Sequence, residues 1–90
     1  MEKIRRHIIF HGEVQGVGFR FRAYHSANLY GVTGWVRNCP DGSVEMEAEG
    51  YPKDINAIIE NVKNSSFAYI YDIESKIIPL KNDSSFHITD

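Results

Sequence analysis

Hydrophobic and polar residues alternate in several stretches of the chain, which predicts β-strands with one face against a core. The clearest stretch is Ser43–Glu49, where Val44, Met46 and Ala48 alternate with acidic residues. We expect these apolar side chains to face the core and the acidic ones to face water. The acidic residues are Glu45, Glu47 and Glu49. The Asp-Gly pair in Pro40–Gly42, just before this stretch, indicates a hairpin turn.

Four further stretches have the composition of strands. In His7–His11, we expect Ile8 and Phe10 to face the core and the two histidines to face the open side of the sheet. The other three are Thr33–Cys39, Ala68–Ile78, which is long enough to include a bulge, and Phe86–Thr89.

Two stretches have a helical period instead. In Phe19–Tyr30, apolar residues recur with a helical spacing, and the glycine that follows predicts the end of the helix at Gly31. Its expected core face consists of Phe19, Ala23, Ala27 and Tyr30. A second amphipathic helix is predicted to begin near Pro52 and to end at Asn64–Ser66. Its apolar face consists of Ile55, Ile58, Ile59 and Val62.

The predicted order is β-α-β-β-α-β with a short final strand. This order predicts an α+β fold of the ferredoxin-like split β-α-β (βαββαβ) type, with two helices on one face of a mostly antiparallel sheet. The length of 90 residues predicts one domain over residues 1–90. In such a sheet the first two strands run in the same direction, so their carboxyl ends lie at the same end of the sheet.

Composition narrows the class of protein. The net charge is −2, but residues 1–37 carry six basic and two acidic residues, whereas residues 38–90 carry four and ten. The overall acidity argues against nucleic acid as a partner, and no apolar run is long enough to cross a membrane. Cys39 is the only cysteine, which excludes an internal disulfide or a two-cysteine metal or redox site. We therefore expect a cytoplasmic protein without a secretory signal.

A glycine-rich loop follows the first strand, over Gly12–Arg20. Glycines let backbone N–H groups approach an anion at the start of a helix, and Arg20 adds a planar set of donors suited to phosphate. The loop lacks the Lys-Ser/Thr pair of a nucleoside-triphosphate loop and the third glycine of a dinucleotide loop. The spacing is equally compatible with an anion cradle and with a tight turn needed only for packing.

Asn38 ends the second predicted strand and is therefore expected near the glycine loop. An asparagine side chain both donates and accepts hydrogen bonds, so it could hold a water molecule there. Asparagine also commonly caps a turn, and the hairpin turn follows directly. Both interpretations are open at this point.

These motifs together resemble the acylphosphatase family. The resemblance rests on Gly12–Arg20, on Gly34–Asn38 and on Asp41–Val44, and it continues in outline over the second helix and the last strand. Tyr30 departs from the smaller aliphatic residue that is usual in the family. The resemblance implies a hydrolase that cleaves acyl phosphates to a carboxylate and inorganic phosphate. It implies that Arg20 binds the phosphate and that Asn38 positions the attacking water.

The chemistry of this reaction fits the residues present. The leaving carboxylate belongs to an acid with a pKa near ~4, so no general acid is needed. The loop amides and Arg20 can neutralise the phosphoryl group, so we expect neither a metal nor a cofactor. These amides belong to Gln15, Gly16, Val17, Gly18, Phe19 and Arg20. We expect the substrate phosphate to accept the proton of the water, inorganic phosphate to inhibit, and the chain to be a monomer.

Two other classes of protein and one other mechanism are alternatives to this interpretation. Val17–Phe21 faintly resembles an RNA-binding aromatic motif, which would make the chain a binding module, but this segment spans a loop and a helix start. A detached accessory domain that handles carbamoyl phosphate for a larger enzyme is the second class, and it is disfavoured because the chain ends at residue 90. A phosphocysteine route through Cys39 would require that residue inside the anion loop.

Overall fold

The alternating and helical stretches form the predicted elements in the predicted order. The computed structural model describes residues 2–89. In this range the elements are β1 (Ile4–Glu13), α1 (Phe19–Tyr30), β2 (Thr33–Asn38), β3 (Val44–Gly50), α2 (Pro52–Lys63), β4 (Tyr69–Ile78) and β5 (Phe86–Thr89). Neither helix is long and apolar enough to span a membrane. The prediction for β1 was too short at both ends, because polar and charged residues outside His7–His11 also pair with neighbouring strands.

The strands described form one sheet in the order β4-β1-β3-β2-β5. β1 and β2 are both antiparallel to β3, so they run in the same direction, as predicted. β4 is antiparallel to β1 at one edge, and β5 is parallel to β2 at the other edge. The ferredoxin-like α+β architecture with a short extra strand is therefore confirmed. The loop after β1 and the end of β2 consequently lie at the same end of the sheet.

Both helices pack on one face of this sheet. Ile8 and Phe10 of β1 and Val44 and Met46 of β3 are fully buried there, as the alternation predicted. The same core includes Ala23, Ala27, Ile55, Ile58 and Val62 from the two helices. Tyr30 is exposed rather than buried, because it lies in the last turn of α1, just before the chain leaves the helix at Gly31.

The other face of the sheet differs from the prediction. Glu47 and Glu49 were expected to face water, but their exposed fractions are only 8% and 6%. They are covered because β4 and β5 lie at opposite edges, so the chain between them must cross the sheet. We call this connection, residues 79–85, the return segment. Its backbone N–H groups at Lys81 and Asn82 donate hydrogen bonds of 2.8 and 3.0 Å to the Glu49 carboxylate.

Arg5 lies at the centre of this covered face. Its guanidinium is completely buried and bonds to Glu47 at 2.7 Å, to Glu49 at 3.1 Å and to Asp83 of the return segment at 2.8 Å. The Lys81 ammonium adds an ion pair of 3.2 Å with Glu47. We call these five residues the Arg5 cluster. It joins β1, β3 and the return segment through charges rather than through apolar contacts.

β4 contains the bulge that its length allowed. His11 of β1 is paired with Asp72, but the next residue, Gly12, is paired with Ile70, so Tyr71 is extra on β4. The ring of Tyr71 stacks on that of His11 on the helix-free side, with ring centroids 6.4 Å apart. The bulge therefore lies where β1 approaches the glycine loop.

Candidate active site

The glycine loop connects β1 to α1 and has a backbone that favours glycine. Gly16 and Gly18 have φ angles of 75° and 76°, in the left-handed region. A Cβ atom added at either position would meet no heavy atom within 4 Å, so the requirement for glycine comes from the backbone conformation and not from space. Gly18 is also the N-cap of α1, and no side chain among residues 2–89 caps that helix end.

The side chain of Gln15 holds the loop against the hairpin that joins β2 and β3. Its amide nitrogen donates hydrogen bonds of 2.8 Å to the carbonyl oxygens of both Cys39 and Ser43. Sequence reasoning considered only the backbone of Gln15 and missed this role. The one available signal was that Gln15 is the only polar side chain between Val14 and Phe19. These two hydrogen bonds therefore hold the glycine loop against the hairpin at the end of β2.

Arg20 and Asn38 line the same pocket, as the shared direction of β1 and β2 predicted. The pocket has a volume of about 120 Å³, and both side chains are partly buried. Its lining consists of Val14, Gly16, Gly18, Phe19, Arg20, Phe21 and Asn38. Gln15 and Val17 belong to the loop but are not part of this lining. Pockets that enclose drug-sized ligands span roughly 300–1,000 Å³, so this one suits a group the size of a phosphoryl group.

β2 places Asn38 at the mouth of the hairpin, opposite Val44 of β3. The turn itself is held by Asp41, whose carboxylate accepts hydrogen bonds from the backbone N–H and the hydroxyl of Ser43 at 2.9 and 2.6 Å. These bonds lower the pKa of Asp41 below its usual value. Asp41 therefore supplies side-chain hydrogen bonds that hold this turn.

The other arginines near the loop bond to groups outside the pocket lining. Arg22 donates to the carbonyl of Asn61 at 2.7 Å, which joins α1 to α2. Arg37 donates to Glu45 at 2.6 Å, and His7 bonds to the same carboxylate. Burial alone would raise the pKa of Glu45, but the bonds from His7 and Arg37 hold it below its usual value. Arg22 and Arg37 therefore each bond to another element of the fold.

The arrangement around the pocket favours a small anion. The first N–H groups of an α-helix have no partner within the helix and carry the positive end of its dipole. α1 begins at Phe19, which lines the pocket, so these N–H groups adjoin the pocket. The first turn of α1, all of whose residues the structure describes, contains no acidic residue that would repel an anion. Arg20 adds a guanidinium at the same place. Cys39, the residue of the alternative phosphocysteine route, is not part of the pocket lining.

Comparison with known proteins gives one consistent result. The acylphosphatase family profile matches residues 6–88. An acylphosphatase from Clostridium acetobutylicum is 43% identical over 79 residues, which is 86% of this chain and 87% of that protein. One from Bifidobacterium longum is 51% identical over 59 residues, 66% of this chain, and the match spans only 61% of that protein's length.

The fold agrees with this result over nearly the whole chain. The crystal structure of acylphosphatase from Bacillus subtilis superimposes with a TM-score of 0.91 at 37% sequence identity. The superposition covers 97% of this chain and 99% of that one. Because the family profile covers nearly every residue described, including the glycine loop and Asn38, this chain belongs to the acylphosphatase family.

Proposed function

We propose that this chain hydrolyses acyl phosphates to a carboxylate and inorganic phosphate. The observation that carries this proposal is that Arg20 and Asn38, 18 positions apart in sequence, line one small pocket with the glycine loop. A site for phosphoryl transfer needs groups that hold the phosphoryl oxygens and a group that aligns the attacking water. The guanidinium and the loop amides supply the first, and the carboxamide supplies the second.

In the proposed reaction, Arg20 and the amides of residues 15–20 bind the phosphoryl oxygens. Asn38 orients a water molecule whose oxygen attacks phosphorus, while the bond between phosphorus and the acyl oxygen breaks. The leaving group departs as a carboxylate and requires no proton, because its conjugate acid has a pKa near ~4. The water proton passes to a phosphoryl oxygen, so the products are a carboxylate and inorganic phosphate.

The proposed role of Arg20 is electrostatic and depends on geometry. A guanidinium can donate two parallel hydrogen bonds to one phosphoryl group, whereas an ammonium acts as a point charge. Preorganised donors of this kind stabilise charge that develops in the transition state, and removing one commonly lowers turnover by about 10²–10³. The proposed step relies on these donors to stabilise the phosphoryl charge and involves neither a metal nor another cofactor.

The proposal also covers the oligomeric state, the cellular location and the inhibitor of the enzyme. Residues 1–90 act as one domain and as a monomer in the cytoplasm, without nucleic acid or membrane as a partner. Inorganic phosphate, which has the charge and shape of the transferred group, inhibits by occupying the same pocket.

Hydrolysis of benzoyl phosphate in the presence of EDTA tests the proposal. We expect turnover well above the uncatalysed rate for the wild-type chain, and the same turnover for Cys39→Ser, whose substituted side chain lies outside the pocket lining. Absence of turnover in EDTA that returns on adding a divalent cation would contradict the metal-independent mechanism. An inactive Cys39→Ser variant that is folded would instead favour the phosphocysteine route.

A further inference from the structure

Phe21 is an exposed aromatic side chain at the mouth of the candidate active site. It follows Arg20 directly in the first turn of α1, and it lines the same pocket as Arg20 and Asn38. Its exposed fraction is 62%. Single exposed apolar side chains are common on proteins and carry no meaning by themselves. This one differs because of its position on the pocket.

The size of the pocket determines where the rest of a substrate must go. A volume of about 120 Å³ suits the phosphoryl group, so the acyl part has to leave the pocket past its rim. Two of the lining residues, Gly16 and Gly18, have no side chain to contact it. Val14 and Phe19 are buried in the core. Arg20 and Asn38 are assigned to the phosphoryl group and the water.

From this geometry we infer that Phe21 contacts the acyl group and makes the enzyme prefer acyl phosphates with an apolar, and above all an aromatic, acyl part. This inference rests on the proposed function. A phenyl ring that is more than half exposed in the free protein gains apolar contact when such an acyl group covers it. An aromatic acyl group adds ring–ring attraction, which is favoured by offset or edge-to-face geometry. An acetyl group is too small to gain much from either effect.

The test compares kcat/KM for benzoyl phosphate and for acetyl phosphate in the wild-type chain and in Phe21→Ala. We expect Phe21→Ala to lower kcat/KM for benzoyl phosphate by roughly two- to tenfold, which corresponds to the usual strength of an aromatic pair. For acetyl phosphate we expect no appreciable change. Phe21→Tyr keeps the ring and is expected to retain the preference for benzoyl phosphate.

Leu29→Ala is the matched control. Leu29 is also an exposed apolar residue of α1, with an exposed fraction of 75%, but it lies eight residues further along the helix. That places it about 12 Å from Phe21 along the helix axis. We expect this variant to leave both substrates unaffected.

The possible outcomes separate this inference from the proposed function. If the wild-type chain hydrolyses both substrates and Phe21→Ala leaves the ratio of their kcat/KM values unchanged, the inference is overturned and the proposed function stands. An equal loss for both substrates has the same meaning, because it indicates a role in shaping the phosphoryl pocket. If the wild-type chain hydrolyses neither substrate, the proposed function and this inference are both overturned.

Discussion

Arg5 and Arg20 occupy two different kinds of environment in the same small fold. Arg5 is completely buried, and three carboxylates of the chain accept hydrogen bonds from it. Arg20 is partly buried and lines an open pocket beside Gly16, Gly18 and Asn38. The first arginine binds anions that the protein itself supplies, on the helix-free face. The second is placed where an anion from solution can reach it.

A guanidinium can stabilise a fold or bind a ligand, depending on its surroundings. A guanidinium buried among carboxylates stabilises a particular arrangement of strands, and it is costly to remove because the buried acids lose their partner. A guanidinium at a pocket lined by glycines and a helix start can bind a phosphoryl group that comes and goes. We therefore expect substitution of Arg5 to lower stability and to leave turnover nearly unchanged. Substitution of Arg20 is expected to lower turnover and to leave stability nearly unchanged.

The largest expected effect on stability is that of Arg5→Ala. It leaves Glu47 and Glu49 buried without the guanidinium that they share, which typically costs about 3–5 kcal/mol of unfolding free energy. Urea denaturation measures this loss, and kcat per folded molecule is expected to stay near the wild-type value. Arg6→Ala is the control, because the neighbouring Arg6 bonds to Ser75 and Asn56 at the exposed surface. Equal losses for the two variants would contradict a special role of the Arg5 cluster.

Arg20→Ala is expected to have the opposite profile. We predict a loss of about 10²–10³ in kcat, equivalent to about 2.7–4 kcal/mol of transition-state stabilisation, with a small change in unfolding free energy. Arg20→Lys is expected to restore little, because it lacks the planar set of donors. Arg22→Ala, two positions further along α1, removes a hydrogen bond to Asn61 and is expected to leave turnover almost unchanged. A comparable loss of turnover in Arg22→Ala would indicate a general field effect instead.

A smaller effect is expected in the dependence of stability on pH. Burial by itself would raise the pKa values of Glu47 and Glu49, but hydrogen bonds involving Arg5 and Lys81 hold them below the usual value. A carboxyl group with a lowered folded-state pKa contributes stability that is complete above its unfolded pKa, near ~4.3. This contribution is lost as the pH falls through the lower folded-state value.

Urea denaturation between pH 7 and pH 3 measures this dependence. We expect the wild-type chain to lose unfolding free energy as the pH falls below about 4.3, the usual pKa of glutamate. In Arg5→Ala, the effect of burial is no longer offset by Arg5, so protonation relieves buried charge and the loss is expected to shrink or reverse. Parallel profiles for the two proteins would show that the Arg5 cluster does not control these carboxyl groups.

These two regions also differ in how far the sequence predicts them. The alternation of Val44, Met46 and Ala48 and the period of α1 predicted the elements correctly, because each pattern is local. The shared direction of β1 and β2 was enough to bring Asn38 and Arg20 to one pocket. The sequence-based prediction of exposed glutamates was wrong, because burial of Glu47 and Glu49 depends on Arg5 and on a return segment far away in the chain.

The contacts that the sequence did not predict all depend on residues that are far apart in the chain. Asp83 is 78 positions from Arg5, and no local pattern indicates that the return segment crosses the helix-free face. The role of the Gln15 side chain depends on two carbonyl groups of the hairpin, whose directions follow from the strand register and the turn. Residue types and spacing predict which side chains can take part in the chemistry. Long-range contacts of this kind determine the positions of those side chains in the folded protein.

The division of labour between Arg20 and Asn38 is the central claim, and Asn38→Ala tests it most directly. The measurement is kcat for benzoyl phosphate together with the inhibition constant of inorganic phosphate, both in EDTA. We predict a loss of about 10² in kcat, as expected when a reacting group is no longer aligned, with an unchanged inhibition constant. A variant that loses affinity for phosphate while keeping its turnover would contradict the claim, because Asn38 would then bind the phosphoryl group instead of positioning the water.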